Sequence, residues 1–338
     1  MGSARIKGQL LPDPAAIAKR IHVPSYSEVL QRIKNRYPHN VNAYERERRS
    51  LDLVKDVIVG KTEPVMQLRS LLRGLHPFYL RLLSISFDME QVNRDIECVV
   101  KARTVAQRMW QSYRYRLLAA ESEGEARAIG REARGRMMSQ LKKCSHGLER
   151  LREVVKFLAG LPGIDVSKQI VIVSGPPNAG KSTFLSSVSR ARPEIAPYPF
   201  TTKNVIVGHA NVDGVEVQVI DTPGLLDRDP SQMNEVELRA VAALQELPGP
   251  VLYLVDPTPE APLDLESQVS LLSRIRAMLG GSRRVLVVIN KVDAVDSNRL
   301  NLVESTLLKS GITEHMKISA LDKEACLEAL RAVLKPKP

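Results

Sequence analysis

The sequence predicts two architectures in one chain of 338 residues, an all-α bundle over 1–165 and an α/β domain over 166–338. The second is expected to hold a mostly parallel sheet of six strands covered by helices on both faces. Three observations carry this. Apolar residues recur at alternating steps of four and three in the first half, with almost no strand pattern. Short Val/Ile-rich runs alternate with helical segments in the second half, as parallel strands joined by crossover helices require. The charge also divides: 30 Lys and Arg face 18 Asp and Glu up to residue 165, and 19 face 20 beyond it, so the whole net charge of +11 belongs to the first half.

In the first half, residues 24–64 look helical but are punctuated by Pro24, Pro38, Gly60 and Pro64. Val92, Ile96, Val99, Ala106, Trp110, Tyr113 and Leu117 then form one apolar stripe, with Arg103 the single polar intruder. Met137, Leu141, Cys144, Leu148, Leu151, Val155 and Leu158 form a second, expected to be one unbroken helix. Trp110 and the methionines on these stripes are assigned to core packing. Residues 122–126, containing Gly124, predict a turn, and Gly130 and Gly135 weaken the helix around them. Gly160-Leu-Pro-Gly163 is a glycine-then-proline helix exit, which places the domain boundary near 161–168.

In the second half, strands are expected at 169–174, 203–210, 215–220, 251–256, 285–290 and 315–319. Helices are expected at 181–190, 234–247, 264–279, 297–310 and 323–334. Loops at the carboxyl ends of such strands form the ligand crevice.

Three motifs fall on those loops. Gly175-Pro176-Pro177-Asn178-Ala179-Gly180-Lys181-Ser182-Thr183 follows the apolar run QIVIVS and opens a helix. A glycine-rich turn there lets backbone N–H groups and a helix N-terminus cradle phosphates. Lys181 reaches the β/γ oxygens, and the Ser182 hydroxyl ligates Mg²⁺. Asp221-Thr222-Pro223-Gly224 ends the strand GVEVQVI; Asp221 reaches Mg²⁺ through a water, and the Gly224 amide meets the γ-phosphate. Asn290-Lys291-Val-Asp293 follows VLVVI. An Asp so placed accepts the ring N–H and amino group of guanine and leaves its lone pairs unmatched against adenine. Asn290 is expected to contact the purine and brace the phosphate loop, with the Lys291 stem covering the ring. Ser319-Ala320-Leu321 is expected to close the pocket with a backbone N–H for the guanine carbonyl. These motifs together predict a P-loop GTPase domain that binds GTP, GDP and Mg²⁺, with Lys181 and Gly224 among the groups that stabilise charge in hydrolysis. An ATP-dependent enzyme sharing only the phosphate loop is disfavoured by Asp293.

Tyr198-Pro-Phe-Thr-Thr202, taken with GPPNAGKS, resembles the switch I of the Obg-like GTPases. By that resemblance Thr202 is a catalytic Mg²⁺ ligand ordered by the γ-phosphate, and Phe200 and Thr201 line the same site. Similar GTPases with an apolar residue after DTPG, here Leu225, and an Asn in the phosphate loop use a K⁺ ion; Asn178 is the matching candidate ligand. No general base is visible, and His209 is expected to be packed or solvent-facing. LHPFYLRLLSISFD at 75–88, RMMSQLKKC at 136–144, LPGID at 161–165, TTKNVIVGH at 201–209 and DTPGLLDRD at 221–229 are similar to the Nog-type nucleolar GTP-binding proteins. The chain looks like their compact, archaeal-like members, because the sequence stops at LKPKP where nucleolar members continue. The resemblance implies a GTP-hydrolysing switch in large ribosomal subunit biogenesis. It also implies a helical half that contacts ribosomal RNA and large-subunit precursors. The alternative is a regulatory module that senses the GTP/GDP ratio and acts on a protein partner with little turnover.

Composition agrees with an RNA partner. A basic half suggests a polyanion, and an aromatic content of 4% with one Trp disfavours base-stacking platforms in favour of backbone and shape recognition of folded RNA. Arg131, Arg134, Arg136, Lys142 and Lys143 are candidates by charge. DNA and membrane partners are not expected: no apolar run approaches spanning length, and the first residues lack the core of a secretory signal. The three cysteines, Cys98, Cys144 and Cys326, have no metal-ligand spacing and are expected to be packing thiols in a reducing compartment, which places the protein in the cytoplasm.

Overall fold

The computed structural model describes residues 13–226, 233–279 and 283–335. The chain divides into two compact units. One is helical, Ala16–Gly74 with Ser86–Ala159; the other joins the described residues up to Ala15, Leu75–Ile85, and those from Gly160 onward. No helix among the described residues is long and apolar enough to cross a membrane.

Short α1 (Pro14–Ala18) leads into α2 (Tyr26–Asn35), which opens with a capping box: Ser25 Oγ accepts the Glu28 N–H at 3.1 Å and Glu28 Oε2 accepts the Ser25 N–H at 2.7 Å. The helices α3 (Ala43–Lys61) and α4 (Glu63–Arg73) follow, the latter admitting Pro64 in its first turn, where a missing N–H costs nothing. The first apolar stripe is α6 (Met89–Leu118), after α5 (Pro77–Ser86). Arg103 on that stripe is accounted for: Nη1 donates to Val59 O and Nη2 to Glu63 Oε2, both at 2.8 Å. Trp110 is only half-buried; its Nε1 donates to Asp52 Oδ1 at 2.7 Å and Lys55 lies over the ring.

The second stripe is not one helix but two, α7 (Glu123–Lys142) and α8 (Ser145–Ala159). At the junction the Cys144 N–H bonds to Leu141 O, three residues back, and Leu148 N–H then bonds to Cys144 O. A tightened turn advances three residues, the same step that separates Leu141 from Cys144 in the stripe. All seven stripe residues therefore stay buried, and periodicity cannot register the break. Cys144 is also not a free thiol. It is bonded to Cys98 of α6, with Cα atoms 5.8 Å apart, and the expected set of three packing thiols is corrected to one, the buried Cys326.

Among the described residues of the other unit, seven strands form one sheet in the order β2-β3-β4-β1-β5-β6-β7. They are β1 (Gln169–Ser174), β2 (Glu194–Pro197), β3 (Asn204–Val212), β4 (Val215–Asp221), β5 (Val251–Val255), β6 (Val285–Ile289) and β7 (His315–Lys317). The run β4-β1-β5-β6-β7 is parallel, while β2-β3 and β3-β4 are antiparallel. The expected six strands omit β2, whose sequence EIAP has one buried residue and a proline, as an edge strand permits. Helices α9 (Lys181–Val188) and α13 (Lys323–Leu334) pack Phe184, Leu185, Leu330 and Val333 against Val171, Val173, Leu252, Leu254, Leu286 and Val288. Helices α10 (Glu235–Ala243), α11 (Leu265–Met278) and α12 (Ser297–Lys309) complete the crossovers. The expected helix 234–247 ends at 243 and continues as a 3-10 turn, Leu244–Glu246. Helix α5 belongs with this unit: Tyr79 is fully buried, its hydroxyl donates to Ile164 O at 2.6 Å, and Arg81 pairs with Glu246.

Candidate nucleotide-binding site

Strand β1 delivers the chain to a loop whose turn needs two left-handed residues, Asn178 at φ 65° and Gly180 at φ 90°. A side chain at Gly180 would collide with the Asn290 amide. Helix α9 starts at Lys181, so its first N–H groups face the loop. The Lys181 ammonium is nearly buried and donates to Gly175 O and Pro176 O, each at 2.8 Å. Ser182 Oγ donates to Asp221 Oδ2 at 3.3 Å, joining the start of α9 to the end of β4. A hydroxyl and a fully buried carboxylate meeting beside a phosphate loop are the hard oxygen donors that suit Mg²⁺.

Beside the loop lies a cleft of about 800 Å³. Its walls bring together Pro177, Asn178, Gly180, Lys181, Ser182, Thr183, Thr202, Pro223 and Gly224, and they add four residues that sequence reasoning missed, Ile195, Lys203, Asn204 and Ile206. The addition follows from β2. Strands β2 and β3 form a hairpin, so 198–203 is its tip and both arms border the cleft. Phe200 and Thr201 lie outside the lining. Thr201 closes the tip: its N–H and Oγ1 both donate to Tyr198 O, while Oγ1 accepts the Lys203 N–H. Phe200 takes the left-handed conformation at φ 64° that this closure demands. Tyr198 is buried, its hydroxyl donates to Ala240 O of α10 at 2.8 Å, and burial pushes its pKa well above the ordinary tyrosine range.

The base side is held by one side chain. Asn290 is 1% exposed; its Nδ2 donates to Ala179 O and its Oδ1 accepts the Ala320 N–H, both at 2.8 Å. The Ala320 carbonyl accepts Ser187 Oγ of α9 at 2.5 Å. One amide therefore locks the phosphate loop to the 319–321 loop, and of the backbone N–H groups in that loop the one of Ala320 is committed to Asn290. The Leu321 N–H lies 3.4 Å from Ser319 Oγ, and the Leu321 side chain is 76% exposed. Lys291 adopts φ 56° and its ammonium pairs with Asp256 Oδ2 at 2.6 Å. Asp256, missed from sequence, is buried at the end of β5, and its Oδ1 accepts the N–H and Oγ1 of Thr258. Asp293 is exposed in a 3-10 turn, Val292–Ala294. Leu225 is 1% exposed and packs inward, so its side chain holds nothing in the cleft; the DRD part of 221–229 lies outside the described residues. His209, on β3, has a side chain 40% exposed beside Glu216 of β4.

On the helical unit, the charge candidates separate. Arg134 is tied to Glu47 and Ser50, and Arg136 pairs with Glu132 at 3.1 Å. Arg131, Lys142 and Lys143 are exposed and form no ion pair among the described residues.

Comparison with known proteins follows the same division. Residues 21–165 match the family model described as NOG1 N-terminal helical domain, and residues 170–291 match the model described as 50S ribosome-binding GTPase. The chain is similar to nucleolar GTP-binding protein 1 of Kluyveromyces lactis, 29% identical over 86% of this chain and 47% of that protein. It is also similar to the Caenorhabditis elegans protein of the same name, 36% identical over 65% of this chain and 32% of that protein. The chain thus spans less than half the length of these relatives. A solved Plasmodium falciparum structure of a nucleolar GTP-binding protein 1 is 28% identical, with a TM-score of 0.43 over 51% of this chain and 88% of that one. The relatives' names overturn the expected cytoplasmic location: they are named as nucleolar proteins and point to the nucleolus instead.

Proposed function

We propose, for a chain that belongs to the Nog-type branch of the Obg-like GTPases, that it binds GTP, hydrolyses it to GDP and phosphate, and acts as a switch in large ribosomal subunit biogenesis. The observation that carries this reading is the Asn290 bridge, which makes the phosphate loop and the base loop one rigid element. A site built to grip both ends of a nucleotide needs that rigidity, because the binding energy of the base can then position the phosphates.

Lys181 holds the β/γ oxygens, exchanging its carbonyl partners on the loop for phosphate. The amides of 178–183 and the start of α9 neutralise charge, and the Gly224 amide meets the γ-phosphate. Ser182 and Thr202 would hold Mg²⁺, with Asp221 as the carboxylate behind them, and the ion would supply charge neutralisation at the phosphates. Asp293 accepts the guanine N–H groups, and the Lys291 stem, fixed by Asp256, covers the ring. In hydrolysis the water oxygen bonds to the γ-phosphorus as the bond to the β–γ bridging oxygen breaks. The buried Leu225 offers that water no donor or acceptor, so intrinsic turnover is slow. Asn178 would be a ligand for K⁺, which would supply a further positive charge at the phosphates and raise the rate. The helical unit holds ribosomal RNA of the large-subunit precursor, with Arg131, Lys142 and Lys143 as its phosphate contacts. GTP orders the segment around Thr202 and Gly224, and hydrolysis releases it.

The test is calorimetry with GTP, ATP and XTP on the full chain and on Asp293→Asn. GTP alone should bind the unmodified chain, and the variant should prefer XTP. Equal heats for GTP and ATP would overturn the reading.

A further inference from the structure

We propose that Lys203 is a second lysine of the phosphate cleft, whose ammonium contacts the γ-phosphate of GTP and makes the site read that phosphate; this rests on the GTP-binding function proposed above. Lys203 lines the cleft with Lys181, Ser182, Thr202 and Gly224. Its side chain lies against the Gly224 backbone: a Cβ built on Gly224 would fall 2.7 Å from Lys203 Cε, 2.9 Å from Cδ and 3.1 Å from Nζ. Gly224 also sits at φ 70°, a conformation that disfavours any side chain, so the Lys203 stem can lie against its backbone. The lysine is thus held over the residue whose amide meets the γ-phosphate.

Two further facts separate Lys203 from an ordinary surface lysine. Its backbone is anchored at the hairpin tip, where Lys203 O accepts the Tyr198 N–H at 2.9 Å and the Lys203 N–H donates to Thr201 Oγ1 at 3.2 Å. The next residue, Asn204, is already paired with Pro197 of β2. The stem therefore starts from a fixed point on the cleft wall. The ammonium, in addition, forms no ion pair among the described residues, unlike Lys291, which Asp256 holds. A cation without an acidic partner among the described residues, against the Gly224 backbone and in the same cleft as Lys181, fits an anionic ligand atom. GDP has no atom at that place, so the contact distinguishes the two nucleotides. Lys203 donates no proton in the reaction. It stabilises the charge that the equatorial γ-oxygens carry in the transition state.

The experiment measures the affinities of GDP and a non-hydrolysable GTP analogue, together with kcat and KM, for the full chain, Lys203→Met and Lys203→Arg. Lys203→Met should weaken the analogue about tenfold and change GDP less than about twofold, with kcat also reduced. Lys203→Arg should restore most of the analogue's affinity, because it returns a cation of similar reach. Equal weakening of both nucleotides, or no change in either, would overturn the proposal. So would a Met variant that retains full kcat. Failure of the unmodified chain to bind any guanine nucleotide would instead remove the underlying reading of the site, and the inference with it.

Discussion

Replacing Asn290 by Ala should lower the melting temperature of the nucleotide-binding unit even with no nucleotide present. Two buried backbone groups lose their partner at once: Ala179 O, which accepts Asn290 Nδ2, and the Ala320 N–H, which donates to Oδ1. Leaving a buried donor or acceptor unpaired costs about 1–3 kcal/mol per group. Water entering the vacated volume recovers part of it, so a net loss of about 3 kcal/mol is expected. For a unit of this size each kcal/mol moves the midpoint by about 2–4 °C, which gives a fall of about 6–12 °C. Asn290→Asp should fall at least as far, because it keeps the acceptor for Ala320 but sets a carboxylate against Ala179 O. Asp293→Asn is the contrast, an exposed position where a change within about 0.5 kcal/mol is expected although base choice changes. The assay is scanning calorimetry of the nucleotide-free chain and the three variants. Should Asn290→Ala melt within about 2 °C of the unmodified chain, the bridge is not holding the two loops together.

Three further outcomes follow from particular contacts. Hydrolysis in K⁺ buffer should exceed that in Na⁺ buffer by about tenfold or more, and Asn178→Ala should abolish the difference, measured as phosphate release. Thiol titration of the unfolded, unreduced chain should find one reactive cysteine, Cys326, and three after reduction. Reduction should also destabilise the helical unit by about 4 kcal/mol, from the loop entropy of a 46-residue separation, as read by urea unfolding. The third outcome concerns acid. Arg48 and Arg49 hold the Glu45 carboxyl well below its ordinary value of 4.5, at about 2. Its folded pKa is depressed, so its contribution is complete above pH about 4.5 and is lost as pH falls through about 2. Glu45→Gln should remove the part of the acid transition in that window, followed by far-UV circular dichroism; an unchanged curve would show that the two arginines do not stabilise that helix start.

What the sequence made legible was what repeats or what chemistry requires locally. Alternating four- and three-residue spacing located both apolar stripes, because burial of one helix face demands it. The phosphate loop was legible because a turn with Gly180 at φ 90° admits few residues. Features that depend on a distant partner were not. Asp256 is an ordinary acidic residue until the chain folds Lys291 onto it, and Cys98 and Cys144 are unremarkable until α6 meets the α7–α8 junction. The strand β2 was hidden for another reason: EIAP has no alternation to detect, and its pairing with β3 alone defines it. Missing β2 also hid Lys203, since only a hairpin brings the residue after Thr202 to the cleft wall. Charge was legible as a total but not as a surface. Pairing with Glu47 and Glu132 occupies two of the five cationic candidates, Arg134 and Arg136, which no count of residues could reveal.

The hairpin also constrains how a nucleotide signal can leave the site. Its tip, 198–203, has two kinds of attachment. Thr202 and Lys203 face the cleft, whereas Tyr198 is buried and bonded through its hydroxyl to Ala240 O in α10. The closing bonds within the tip, from Tyr198 N–H to Lys203 O and from Thr201 N–H to Tyr198 O, tie its two ends together. A change in what Thr202 and Lys203 contact is therefore resisted or passed on at Tyr198, and α10 is the element that receives it. Val236 and Leu238, on the same helix, are 43% and 38% exposed, so a shift of α10 would alter an apolar surface accessible to a partner. Coupling of this kind needs differential contact with the two nucleotides at one end and a bonded connection at the other. Lys203 and Tyr198 supply the two ends within six residues of chain.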